Sequence, residues 1–249
     1  MAYAGLYTAM AGLETASSQL ATVAQNVANA NTVGYAQAQT AAMALPYQGD
    51  SPVPGADVTP LQEGVDTTSG AFTQTGGTFD VAVHNGWLLV QTSSGGLALT
   101  RNGALAQGAD GLLVTQSGEP VLDANQQPIS LPALDGLTIA ADGTISGIPA
   151  GSGSQQPRVV DQLYLAATPP AGSLTPIGNS LYALAPGLQP TTATNATVVQ
   201  GALEESNVNP VSSMVGLISS TRSFSVLTQV ISKSSHVQSQ LDQIMTASS

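Results

Sequence analysis

The sequence predicts an α+β protein in which long N- and C-terminal heptad helices form a coiled-coil-like segment and the middle folds as an antiparallel all-β domain. Three observations predict it. Apolar residues recur every seven positions near both ends, the period shortens to two between them, and nearly all the charge lies in that middle stretch. Residues 50–205 carry the whole net charge of −11, whereas residues 1–49 hold only Glu14 and residues 206–249 only Arg222, Lys233 and Asp242.

The first helix is expected over about residues 3–30, within an N-terminal segment 1–44. Leu6, Leu13, Leu20 and Val27 keep a seven-residue spacing, with Ala9, Ala16, Val23 and Ala30 three further on. Four such heptads describe a helix roughly 40 Å long with an apolar seam. The stretch that closes it, QNVANANTVGYAQ (25–37), holds more amides than a stop requires. Gly34 suits the left-handed position that ends a helix. Asn26, Asn29 and Asn31 can satisfy helix-end carbonyls or bridge to a neighbouring chain, and in an isolated chain they are expected to be hydrated.

Pro46, Pro52, Pro54 and Pro60 make 45–70 an irregular or extended connector. Over 71–200 the period-two runs are DVAV (80–83), WLLVQT (87–92), LALT (97–100), LLVT (112–115), PVLD (120–123), LTIA (137–140), QLYLA (162–166) and LYAL (181–184). Asn85-Gly86, Asn102-Gly103, Asp110-Gly111, Asp135-Gly136 and Asp142-Gly143 supply the turns that tight antiparallel pairs need.

The last segment, 201–249, holds the second helix from about Pro210, whose missing N–H costs nothing in a first turn. Asn207 or Asn209 is its expected cap. Leu217, Phe224, Ile231 and Met245 keep the seven-residue spacing and Leu227 and Leu241 take the offset positions, while Ser220, Ser234 and Gln238 interrupt the stripe. Both helices carry Ser, Thr, Gln, Asn and Ala on their other faces instead of charge. Surface helices normally carry charge there, and small uncharged faces suit close packing against several neighbours.

Composition removes several function classes. Charged residues are 8% of the chain against about 25% in typical globular proteins. Four cations cannot supply the phosphate contacts of a nucleic-acid binder or hold the chain on anionic lipid. No cysteine is present for a disulfide, a thiolate metal site or a nucleophile. The N-terminal MAYAGLYTAM lacks the basic region and apolar core of a secretory signal, and no run reaches the roughly 18 apolar residues of a membrane span. The expected location is cytoplasmic, or outside the cell by a route that cleaves nothing. His84 and His236 lie apart, and no nucleophile elbow or phosphate loop occurs. No cofactor or metal is expected. An enzyme here would depend on carboxylates alone, so a carboxylate-dependent hydrolase or a binding module is the rival reading.

The stretch LYTAMAGLETASSQLATVAQNVANANTVGYAQ resembles the N-terminal signature of flagellar basal-body rod proteins: a heptad helix, Asn-x-x-Ala-Asn, then Thr-x-Gly and an aromatic. Here those places are Asn26, Ala28-Asn29, Asn31-Thr32, Gly34 and Tyr35. QGALEESNVNPVSSMVGLISSTRSF is similar to the matching C-terminal signature, with Gly201, Leu203, Glu204, Ser206-Asn207-Val208-Asn209, Met214-Val215, Arg222 and Phe224 in place. NGWLLVQ…LALTRNGALAQGADGLLVTQSGEPVLD and LTPIGNSLYAL resemble the family's central domain, so the likeness runs through nearly the whole chain in order. Length and the single β domain favour the proximal-rod (F-type) subunit, with the distal-rod (G-type) subunit as the alternative. Ala36 stands where a base is usual, and Pro210 and Ser212-Ser213 where acids are common, so some inter-subunit ion pairs of the family are expected to be missing.

The resemblance implies a non-enzymatic structural subunit that polymerises through its terminal helices. Its implied partners are copies of itself, other rod and hook-basal-body proteins and the flagellar export apparatus, with no nucleic acid and no membrane insertion. The implied location is the periplasmic rod, reached by type III export without a cleaved signal peptide. The implied assembly residues are Leu6, Leu13, Leu20, Asn26, Val27, Asn29, Asn31, Thr32, Gly34 and Tyr35 in the first signature. In the second they are Ser206, Asn207, Val208, Met214, Leu217, Arg222, Phe224, Leu227, Ile231 and Leu241.

Overall fold

A computed structural model describes residues 2–46, 56–151 and 156–247, without the side chains of 2–7, 42–46, 56–63, 135 and several near the C-terminus. The chain forms two compact units, one of Met1–Ala28, Ala38–Glu63 and Asn209–Ser249 and the other of Asn29–Gln37 and Gly64–Val208.

The first unit holds α1 (Ala2–Ala28), α2 (Pro210–Ala247) and most of a two-stranded sheet of Ala38–Pro46 with Ala56–Val65. The stretch 45–70, expected to be irregular or extended, thus carries a paired strand. α1 packs on α2. A Cβ added at Gly12 would lie 3.9 Å from Leu227, and one at Gly216 would lie 3.6 Å from Val23, so the two helices run antiparallel. Threonines in these sparsely charged helices bond back one turn: Thr15 Oγ1 donates to the Ala11 carbonyl and Thr22 Oγ1 to that of Ser18, each at 3.0 Å. Asn209 is the cap of α2. Its Oδ1 accepts the N–H groups of Val211 at 3.0 Å and Ser212 at 3.1 Å, with Pro210 in the first turn.

The second unit is built on a five-stranded antiparallel sheet, ordered Leu165–Ala166, Trp87–Gln91, Leu97–Thr100, Leu181–Leu184, Leu174–Gly178. Alternate residues of its strands enter two separate cores. Leu88, Val90 and Ala98 join one, and Trp87, Leu89, Leu99 and Tyr182 join the other. A three-stranded sheet (Leu134–Ile139, Thr144–Pro149, Arg158–Gln162) and three two-stranded pairs complete the unit.

Three expectations change. Asn85-Gly86 and Asn102-Gly103 close no hairpin, because Val81–His84 pairs with Thr197–Gln200 and not with Trp87–Gln91, and Leu105–Gln107 pairs with Leu113–Thr115 and not with Leu97–Thr100. PVLD (120–123) forms isolated bridges instead of a strand, because Val121 pairs with Val90, Leu122 with Pro128 and Asp123 with Leu163. Asp135-Gly136 is not a turn. Leu137 pairs with Gly147 and Asp135 with Ile148, which leaves Gly136 (φ +84°) as the extra residue of a bulge inside a strand.

Because Trp87–Gln91 is buried on both faces, Leu88→Ala and Leu89→Ala should each cost about 2–5 kcal/mol, as measured by urea unfolding. In a strand with one wet face, one of the two substitutions would be nearly neutral.

Candidate assembly interface

The amide-rich motif begins on α1. Asn26, buried, treats residue 38 as a strand partner: its Nδ2 donates to the Ala38 carbonyl at 2.8 Å and its Oδ1 accepts the Ala38 N–H at 2.9 Å. Thr22 and Thr40 join their hydroxyls at 2.6 Å one turn earlier. The expected hydration of Asn26 is therefore replaced by bonds within the chain, since a strand that returns beside the helix needs its first peptide satisfied.

Residues 29–37 belong to the β-rich unit. Asn29 accepts the Thr32 N–H on its carbonyl and the Thr32 hydroxyl on its Oδ1, each at 3.1 Å, while Asn31 is exposed. Gly34 takes the left-handed conformation expected of it (φ +65°), but it does not end the helix, since α1 stops at Ala28. Its N–H donates to the Glu204 carbonyl at 2.8 Å, and an added Cβ would fall 2.2 Å from the Asn102 nitrogen. Beyond it Tyr35 is buried, and the Tyr182 hydroxyl accepts the Ala36 N–H at 2.7 Å and donates to the Ala36 carbonyl at 3.2 Å. Burial pushes that hydroxyl far above its ordinary pKa.

The second signature meets the first here. Asn207 Oδ1 accepts the Gln37 N–H at 2.7 Å, and its Nδ2 donates to the carbonyls of Asp66 at 3.0 Å and Thr68 at 2.9 Å. The Asn207 N–H donates to the Tyr35 carbonyl at 3.3 Å. Ser206 Oγ accepts the N–H of Val208, which is buried. The two motifs, 170 residues apart, thus bond to each other within one chain.

Beneath them lies a charged centre. Arg101 Nη1 donates to Glu204 Oε1 at 3.2 Å and to the Thr68 carbonyl at 2.9 Å, and Nη2 to the Thr67 carbonyl at 2.7 Å. The guanidinium carbon sits 4.3 Å over the Trp87 ring. Glu204 Oε1 also accepts the Gly70 N–H at 2.9 Å. Both side chains are almost fully buried. Loss of water holds the Glu204 carboxyl above its ordinary range despite Arg101, and lowers the Arg101 pKa. Sequence reasoning did not pair Arg101 with Glu204. Its only signal was a lone arginine between LALT and a turn, in a chain with four cations.

The remaining residues expected to take part in assembly lie on the helices. Leu13, Leu20 and Val27 of α1 and Leu217, Phe224, Leu227 and Ile231 of α2 are half-buried, whereas Met214 and Arg222 are exposed. Leu6 and Leu241 lie outside the described side chains. Among the described residues no three His, Asp or Glu side chains gather as a metal site, and no helix is long and apolar enough to cross a membrane.

Three family models match the chain. They are described as flagella basal body rod protein (residues 6–35), flagellar hook protein FlgE/F/G D1 domain (84–147) and flagellar basal body rod FlgEFG protein C-terminal (199–244). The chain is 34% identical to the flagellar basal-body rod protein FlgF of Escherichia coli K12, over 98% of both chains. It is 33% identical to FlgF of Caulobacter vibrioides over 88% of both. To the flagellar basal-body rod protein FlgG of Buchnera aphidicola from Acyrthosiphon pisum it is 28% identical, over 96% of this chain and 98% of that protein.

Two outcomes test the junction. Gly34→Ala should lower stability in thermal melts of the full chain by well over about 1 kcal/mol, while Asn31→Ala should stay within about 0.5 kcal/mol. A carboxyl with a higher pKa folded than unfolded holds its proton more tightly in the fold, so the stability it contributes is present in acid and lost as pH rises through the folded value. The stability of the unaltered protein relative to Glu204→Gln should therefore fall as pH rises above the ordinary glutamate range, as read by urea titrations at successive pH values.

Proposed function

The chain belongs to the flagellar basal-body rod protein family, and we propose that it is a structural subunit of the proximal rod, of the FlgF kind. The observation that carries this is end-to-end likeness to FlgF proteins, with both terminal signatures and the central domain in order. The reading involves no catalysis.

In this reading α1 and α2 pair along their heptad seams in a coiled-coil-like manner and pack with the helices of neighbouring subunits. The partners are copies of the chain and other rod and hook proteins. An open, heterologous contact of this kind extends into a helical tube. The chain reaches the periplasmic rod through the flagellar export apparatus. Leu13, Leu20, Leu217, Phe224 and Ile231 set the seam, and Asn29, Asn31 and Thr32 are offered to neighbouring subunits.

The test is complementation. The chain should restore swimming to a bacterium that lacks its own FlgF and should be recovered in purified basal bodies. Leu13→Asp or Leu20→Asp should abolish both, since a carboxylate cannot enter an apolar seam without a large desolvation cost. The β-sheet melting transition of the purified variants should remain. Normal swimming with either variant would remove the seam from the mechanism.

A further inference from the structure

α2 carries more apolar surface than its own chain covers. Val211, Met214, Val215 and Ile218 are 71, 53, 63 and 70% exposed. They follow one another at i, i+3, i+4 and i+7, so they form one stripe on one helix face. Arg222 extends that stripe by a further turn, and among the described residues it has no ion-pair partner. α1 presents an outer stripe of different character. Met10, Glu14, Ser17, Ala21, Ala24 and Ala28 are exposed at alternating spacings of four and three. Beyond Glu14 this stripe is all Ser and Ala, and Glu14 too lacks an ion-pair partner among the described residues.

We propose that the exposed face of α2 docks on the exposed face of α1 in a second copy of this chain, with Arg222 paired to Glu14 across the contact. The proposal rests on the rod-subunit reading. Branched side chains on one helix fit closely over Ser and Ala on another, where backbones can approach. Glu14 is the one acid in residues 1–49, and Arg222 is one of two bases in residues 206–249. In a contact otherwise without charge, one opposite pair selects the register.

The occupant is a second copy because both faces point away from the α1–α2 contact and cannot meet within a chain. The contact is head-to-tail and each copy keeps one face of each kind free, so it repeats without closing. Its geometry is bounded. Gly12 stands opposite Leu227 and Val23 opposite Gly216, which places Glu14 level with residue 225, three residues from Arg222. An axial offset of about 4.5 Å between neighbouring copies brings the two charges abreast.

The chain contains no cysteine, so each face can be marked singly. A Glu14→Cys chain and an Arg222→Cys chain are co-expressed in cells lacking their own FlgF, and isolated basal bodies are treated with a short bismaleimide. The expected product is a mixed dimer, absent when either variant is present alone. Separately, Glu14→Arg or Arg222→Glu should reduce the chain recovered in basal bodies about tenfold, and the two together should restore it. Incorporation without mixed dimers, dimers from one variant alone, or a double reversal no better than either single one would overturn the pairing and leave the rod reading standing. Failure of the unaltered chain to enter basal bodies would overturn both.

Discussion

A guanidinium out of water is tolerated only where most of its donors find acceptors, and the Nη1 and Nη2 groups of Arg101 find them on segments distant in sequence. Thr67 and Thr68 supply carbonyls, Glu204 a carboxylate, and Trp87 an aromatic face. Removing any one of them leaves a buried charge short of partners, which costs far more than an exposed ion pair is worth. Residues 67–70 and 204 are thereby held to the central sheet. The rest of the junction builds on that: the Glu204 carbonyl takes the Gly34 N–H, and Asn207, three residues on, takes Gln37.

The two units satisfy their polar groups by different means. In the β-rich unit, tyrosine, asparagine and arginine side chains complete the bonds of backbone segments that pair with no strand. In the helical unit, threonine hydroxyls bond back along their own helices and Asn26 and Asn209 serve the backbone at helix ends. That leaves the helix surfaces electrically quiet. Their apolar side chains stay uncovered where the single chain has nothing left to cover them, which is the condition of a part made to be packed among others.

The helices were legible because a seven-residue period repeats over four heptads of sequence and few other arrangements produce it. The strands were legible where a short apolar run is bounded by turn residues, as in WLLVQ and LALT. They were not where pairing is set by a distant partner: Ala56–Val65 looks like linker until Ala38–Pro46 lies beside it. Gly136 followed the wrong rule because a left-handed glycine after aspartate serves a bulge as well as a turn. In the motif, the left-handed Gly34 could be read from its neighbours, but not the Arg101–Asn102 backbone that presses on it. Close approach between residues far apart leaves no periodic trace.

The bonding of residues 29–37 to residues 204–207 also bears on the order in which the chain can fold. The strands Trp87–Gln91 and Leu97–Thr100 are neighbours in sequence and can pair as soon as both exist. Gln37 must wait for Asn207, and Gly34 for Glu204. Closing so long a loop carries an entropic penalty that local hairpins escape, and contacts of large sequence separation form late. A chain delivered from its N-terminus therefore cannot bond Gly34 and Gln37 to these partners until nearly the last fifth of the polypeptide has arrived. The sheet comes first, and the first signature locks only when the second one reaches it.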